Sequence, residues 1–120
     1  MTDLNGSTKL DGYPSRPGLR IERHETADML LIALDGELDL AGAPELEDEL
    51  REAERSDADR IVLDLSHLTF IDSSGIALLV AAAKRSSQNA DRLRFKRHRA
   101  PAVERVLELT GVADRLPFLD

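Results

Sequence analysis

The feature that most constrains this chain is the tetrapeptide at residues 72–75, Asp-Ser-Ser-Gly, which separates an apolar stretch from a helix-forming one. Residues 61–65 before it have the character of a strand, and residues 76–85 after it repeat apolar side chains at helical spacing. A helix start exposes unpaired backbone N–H groups at the positive end of the helix dipole. The tetrapeptide therefore predicts a strand-to-helix junction. Its small side chains cap the helix, hold a phosphate or present a serine to another protein.

Composition limits what the chain can be. Its 120 residues are 42% hydrophobic and 3% aromatic, which predicts one domain with an aliphatic core. The absence of cysteine excludes disulfides, thiolate metal sites and thiol catalysis. A formal net charge of −7 argues against direct nucleic-acid binding, and no apolar run is long enough for a bilayer. Residues 1–18 read as a flexible polar tail without a signal-peptide core. We therefore expect a cytoplasmic protein with no membrane partner.

Hydrophobic periodicity predicts an α/β fold for residues 19–120 in the order β-β-α-β-α-β-α. Short crossovers make this a single small domain, a mixed β-sheet with helices packed against it. The predicted elements are an edge strand at 19–25, a central strand at 29–34, a loop at 35–42, a helix from Pro44, a buried parallel strand at 61–65, a helix at 76–85, a strand around Leu93 and Phe95, and a helix from Pro101 that Gly111 ends.

The second predicted helix is uncharged on both sides. Its core face is predicted to consist of Ile76, Leu79, Val80 and Ala83. The opposite side carries small or apolar residues where a solvated helix normally has charges, and Leu78 lies near the middle of that side. This side is predicted to be a docking surface beside Ser73, unless the third helix or the tail covers it. Its other members are Ala77, Ala81 and Ala82.

Three carboxylates follow neighbouring predicted strands: Glu37 and Asp39 after the central strand, and Asp72 after the next. The carboxyl ends of parallel strands meet at one edge of a sheet, where sites form. Paired carboxylates serve acid/base catalysis or metal binding, but no histidine stands in these two loops. Ser73 lacks the G-x-S-x-G elbow of hydrolases. We therefore expect no catalytic site, metal or cofactor, and ordinary roles for the three histidines, His24, His67 and His98.

Residues 92–99 form a basic stretch with five Arg or Lys residues and no acid. In an acidic protein such a stretch binds a phosphate or an acidic partner surface, or it is the solvated side of a strand and loop.

Five motifs in series resemble the STAS family, and within it the bacterial anti-sigma factor antagonists. They are Gly-Glu-Leu-Asp at 36–39, Ala-Pro-Glu-Leu at 43–46, Ile-Val-Leu-Asp-Leu at 61–65, Phe-Ile-Asp-Ser-Ser-Gly at 70–75 and Leu-Glu-Leu-Thr-Gly-Val at 107–112. Each motif is short, but they follow the family's order and spacing, and the resemblance runs from about Leu19 to Asp120.

The resemblance implies a partner switch. The unphosphorylated domain binds an anti-sigma factor that is also a serine kinase and thereby frees the sigma factor. Phosphorylation of Ser73 releases the domain, and a serine phosphatase resets it. Asp39 matches the family's loop aspartate beside the acceptor, and the expected contact surface is Asp39, Asp72, Ser73, Ser74, Gly75 and Leu78. The alternative within the family is a scaffold subunit of a stress-sensing or lipid-transport assembly without a phosphorylation switch.

Overall fold

Four strands and three α-helices follow one another in the predicted order. The computed structural model describes residues 18–119, so the predicted tail lies outside the described residues except for Gly18. The strand order is β1-β2-β3-β4, with β1 antiparallel to β2 and the other neighbours parallel. The predicted α/β class and mixed sheet are confirmed. The elements are β1 (Leu19–Glu25), β2 (Met29–Leu38), α1 (Ala43–Glu54), β3 (Arg60–Ile71), α2 (Ser73–Gln88), β4 (Leu93–Lys96), α3 (Pro101–Leu109) and a 3₁₀ helix (Val112–Arg115).

The hydrophobic core lies against one face of the sheet. Side chains alternate along a strand, and the register aligns Ile32, Leu63 and Phe95 across β2, β3 and β4, all three fully buried. Helices α1, α2 and α3 and the 3₁₀ helix insert mainly aliphatic side chains into this same core. None of the helices within residues 18–119 combines the length and the hydrophobicity that crossing a bilayer requires.

Both central strands are longer than predicted. The loop expected at 35–42 is strand up to Leu38, and the strand expected at 61–65 continues to Ile71. Gly36 has a φ of +112°, which lets β2 continue through a register shift against β3. The pairing then resumes and ends with Leu38 opposite Ile71. The added segments contain polar residues, which favoured a loop prediction, but their backbones remain paired in the sheet.

The prediction that Leu78 lies on an outer face of α2 is wrong. Leu78 is only 9% exposed and Ala82 is fully buried, whereas Ile76 and Val80 of the predicted core face are partly exposed. Leu78 and Ala82 share a helix face with Arg85, which forms ion pairs with Glu47 and Glu54 of α1. Helix α1 therefore covers this side of α2.

Candidate functional site

The carboxyl ends of β2 and β3 meet at one edge of the sheet, as predicted. Leu38 pairs with Ile71, and the Asp72 N–H donates to the Leu38 carbonyl over 3.2 Å. The β2–α1 loop and the start of α2 consequently lie side by side, at the edge where α/β sheets form their sites.

Asp72 is the N-cap of α2 and also holds the neighbouring loop. One carboxylate oxygen, Oδ1, accepts the Gly75 N–H at 3.1 Å, as a capping side chain does. The other, Oδ2, accepts the Leu40 N–H at 3.2 Å. Both oxygens of Asp72 are therefore occupied in fixing the geometry of this edge.

Asp39 shapes the β2–α1 loop from within. Its Oδ1 accepts the N–H groups of Ala41 and Gly42 at 3.1 and 3.2 Å. Its carbonyl accepts the Ala43 N–H at 2.9 Å, at the start of α1. These bonds compensate for Gly42, the N-cap residue of α1, which offers no side-chain cap. Asp39 and Asp72 therefore share one edge, and the backbone of this loop, through the Leu40 N–H, connects them.

Ser73 and Ser74 are the first two residues of α2 and carry no capping role. Ser73 is exposed and Ser74 is partly buried. Neither hydroxyl has a hydrogen-bond partner among residues 18–119, because Asp72 caps the helix. The N–H groups of Gly75 and Ile76 bond to Asp72, whereas those of Ser73 and Ser74 find no acceptor within the same range. The helix start thus offers one exposed hydroxyl and two free donors.

Gly75 allows the first turn of α2 to approach the strand ends closely. A Cβ at this position would lie 2.8 Å from the Leu38 carbonyl oxygen and 2.8 Å from the Ile71 side chain. A backbone carbonyl cannot yield to a methyl group as a flexible side chain does. The glycine of the tetrapeptide therefore has a packing role, which the sequence reasoning did not assign.

The structure also exposes large apolar side chains that sequence reasoning missed. Leu40 is 73% exposed next to Asp39, and Phe70 is 44% exposed two residues before Asp72. On α2, Ala77 and Ala81 are exposed and follow Ser73 at intervals of four residues, so they continue its helix face. We call Leu40, Phe70, Ser73, Ala77 and Ala81 the Ser73 surface. The local sequence carried no signal for Phe70, because the strand was predicted to end at residue 65 but continues to Ile71.

The remaining candidate residues are Glu37 and the three histidines. Glu37 is partly buried and lies beside Phe70 in the register. Within residues 18–119, no three His, Asp or Glu side chains are grouped so that they would hold a metal ion. His24 and His67 are exposed on β1 and β3, whereas His98 is buried at 7% exposure between β4 and α3.

Most residues of the basic stretch are engaged within the protein. Arg92 donates to backbone carbonyls at the end of α1 and just beyond it, Arg94 pairs with Asp91, and Lys96 lies 4.0 Å from Asp64. The Arg97 guanidinium stacks over Phe118 at 4.2 Å from the ring centroid. Internal hydrogen bonds therefore hold Arg92 and Arg94, whereas Lys96, Arg97 and Arg99 are exposed.

Comparisons with known proteins agree with this architecture. Residues 21–119 match the family model described as "Mlab, STAS domain". The anti-sigma F factor antagonist of Paenibacillus polymyxa is 30% identical over 85% of this chain and 87% of its own length. A crystal structure of an anti-sigma factor antagonist from Mycobacterium paratuberculosis superposes with a TM-score of 0.73, at 24% identity over 84% of this chain and 85% of that one. The structure of the Bacillus cell fate determinant SpoIIAA in its phosphorylated form superposes with a TM-score of 0.61, at 21% identity over 86% of this chain and 92% of that one.

The fold is that of a STAS domain, and the chain belongs to the STAS domain family. Within that family, the similar proteins named above include anti-sigma factor antagonists.

Proposed function

We propose that this protein is an anti-sigma factor antagonist that works by partner switching. In its unphosphorylated form it binds an anti-sigma factor that is also a serine kinase, and this binding frees the sigma factor. The kinase transfers the γ-phosphate of ATP to the Ser73 hydroxyl, and the phosphorylated antagonist dissociates. A serine phosphatase removes the phosphate and restores binding. The protein itself acts as a binding partner and not as a catalyst.

The observation that carries this proposal is the division of labour between Asp72 and Ser73. Asp72 caps α2, so the exposed Ser73 hydroxyl is free of any structural bond within the described residues. A kinase needs an accessible hydroxyl whose modification leaves the fold intact. Ser74 is less exposed and one position further into the helix, so Ser73 is the better acceptor.

Electrostatics explains why the modified protein stays folded while the complex separates. A phosphoserine carries about −1.5 to −2 charges near pH 7. The free N–H groups of Ser73 and Ser74 and the α2 dipole offset part of that charge, typically by up to about 2 kcal/mol. The nearby Asp72 carboxylate opposes it. In the complex the phosphate would meet a surface shaped for a neutral hydroxyl, and each 1.4 kcal/mol lost there weakens binding tenfold.

The test is phosphate transfer measured by intact mass. The purified chain is incubated with ATP and, one at a time, with the anti-sigma factor serine kinases of its genome. We expect one kinase to add a single phosphate to the wild type and to Ser74→Ala, and none to Ser73→Ala. Ser73→Ala should still bind that kinase, because its hydroxyl is a modification site and not a cap. Phosphate mapped to Ser74 would contradict the acceptor assignment.

The scaffold role is the alternative outcome of the same test. If no kinase of the panel phosphorylates or binds the chain, the partner switch is wrong, and a stable assembly subunit becomes the better description. That role predicts co-purification of the chain in a larger complex whose composition ATP does not change.

A further inference from the structure

Exposed apolar side chains are concentrated next to the phosphoacceptor. Among the described residues, the large apolar side chains that stand out as exposed are Leu40, Phe70 and Leu109, and the first two adjoin Asp72. Leu40 is joined to Asp72 by a hydrogen bond, and Phe70 precedes it by two residues. Both are therefore linked to the N-cap residue of α2, Leu40 by its hydrogen bond and Phe70 along the chain.

The backbones of both residues are fixed before a partner arrives. The Leu40 backbone is fixed by its N–H bond to the Asp72 carboxylate. Phe70 belongs to a paired strand, opposite Glu37 of β2. Side chains on a rigid backbone lose less entropy on binding, and exposed aromatic residues are frequent hot spots of protein interfaces.

The charges around the pair indicate which partner fits. Glu37, Asp39 and Asp72 lie in the same strand ends and loop, and Glu45 is exposed in the first turn of α1. The surface is thus an apolar pair within an acidic rim. It complements a protein whose apolar pocket is bordered by basic side chains, as expected of a kinase that also holds the triphosphate of ATP.

We propose that Leu40 and Phe70 are the apolar anchors by which this protein docks on its anti-sigma factor serine kinase. This inference rests on the proposed function and specifies the contact. Leu40 and Phe70 enter an apolar pocket beside the nucleotide site of the kinase and position the Ser73 hydroxyl for phosphate transfer. They replace Leu78, whose burial against α1 removes it from any contact surface.

The test measures kinase affinity by calorimetry, using the purified kinase that phosphorylates the wild type. We expect Leu40→Ser and Phe70→Thr each to weaken binding at least tenfold, and the double variant at least a hundredfold. Leu109→Ser is the matched control, because Leu109 is 76% exposed on α3, outside the Ser73 surface, and should bind within twofold of wild type. Melting temperatures of all variants are measured in parallel to exclude unfolding.

A second measurement does not depend on the effect of truncation. The chain has no cysteine, so Leu40→Cys, Phe70→Cys and Leu109→Cys each create a single thiol for maleimide labelling. Excess kinase should slow labelling at positions 40 and 70 and leave position 109 unchanged. Wild-type affinity in the truncated variants, or equal labelling at all three positions, overturns the anchor proposal while the switch stands. A wild-type chain that no kinase binds overturns both.

Discussion

The two ends of the sheet use charged residues in opposite ways. At the Ser73 end, the Asp72 carboxylate secures the backbone, and within residues 18–119 the Ser73 hydroxyl and the N–H groups of Ser73 and Ser74 have no hydrogen-bond partner. Exposed apolar side chains lie at the same end. At the other end, which we call the Arg92 end, the Arg92 guanidinium donates to the carbonyls of Glu54, Ser56 and Ala58 at 2.6–3.0 Å. A satisfied network stabilises the fold, whereas a set of free groups is available to a partner.

Helix α2 connects the two ends and separates their roles by face. One face of the helix carries Ser73 and Ala77. The other carries Leu78 and Arg85, and two nitrogens of the Arg85 guanidinium donate to the Glu54 carboxylate. Adjacent positions of this helix should therefore respond differently to the same substitution.

The largest expected effect is the contrast between Leu78→Glu and Ala77→Glu. Glutamate at 78 buries a charge against α1 and should lower the free energy of unfolding by about 4 kcal/mol. Glutamate at 77 is exposed and should change stability by less than about 0.5 kcal/mol. It should nevertheless weaken kinase binding at least a hundredfold, about 2.7 kcal/mol, by placing a charge on the Ser73 surface. Chemical denaturation and calorimetry measure the two quantities, and equal stability losses would contradict the separation of faces.

Leu78 and Ala77 show which features of the fold local sequence patterns predict and which they do not. The element order, the aliphatic core and the capping role of the tetrapeptide follow from local patterns, and the structure bears them out. The side of α2 that α1 covers depends on how two helices pack, and α2 is apolar or small all round for two turns. Periodicity alone cannot choose between Leu78 and Ala77 on such a helix.

Substitutions at the Arg92 end should change the stability of the fold but not the interaction with the kinase. Arg92→Leu leaves three carbonyls without their charged donor and should lower the free energy of unfolding by about 2 kcal/mol. Arg92→Lys should lose less stability than Arg92→Leu but more than none, because a lysine ammonium group cannot reproduce the planar set of donors of a guanidinium group. Arg99→Leu, at an exposed position of the same basic stretch, is the control and should stay within about 0.5 kcal/mol.

Phosphorylation of Ser73 by the kinase should proceed in Arg92→Leu as in wild type, measured below its melting temperature. A slower transfer with unchanged melting would show that the two ends are coupled.

The exposed anchors of the Ser73 end were also beyond local patterns. Leu40 falls in a segment read as a loop, and Phe70 follows a strand that was expected to stop at residue 65. Only the full pairing of β3 with β2, up to Leu38 and Ile71, shows that Phe70 turns away from the core. Long-range pairing decides this, and a single sequence does not specify it.

A smaller effect is expected from Ser73→Asp. Aspartate adds one charge and fewer acceptor oxygens than a phosphate, so it should mimic the phosphorylated state only in part. We expect kinase affinity to fall about tenfold, or 1.4 kcal/mol, with stability unchanged or slightly raised by the helix dipole. Ser87→Asp, exposed near the other end of α2, should bind as wild type does. Wild-type affinity in Ser73→Asp would rule out charge as the cause of release.

The smallest expected effect is a pH dependence that arises at neither end. His98 is buried, packs edge-on against Phe118 with ring centroids 5.6 Å apart, and its Nδ1 has no hydrogen-bond partner in the described residues. Burial lowers the pKa of His98 below its ordinary value of 6.5, and Arg97 lowers it further, although Glu104 and Glu108 of α3 act in the opposite direction.

The unfolded chain therefore binds a proton near pH 6.5 that the folded protein takes up only at lower pH. The contribution of neutral His98 to the free energy of unfolding is fully present above pH 6.5. It declines as the pH falls from 6.5 toward the lowered pKa of the folded state. Urea unfolding at pH 7.5 and 5.5 should show a smaller loss in His98→Leu than in wild type. His24→Gln, at an exposed position, should behave like wild type. An identical loss in His98→Leu would assign the pH dependence to other groups. Unaltered kinase affinity of His98→Leu at pH 7.5 would confirm that this site is independent of the Ser73 end.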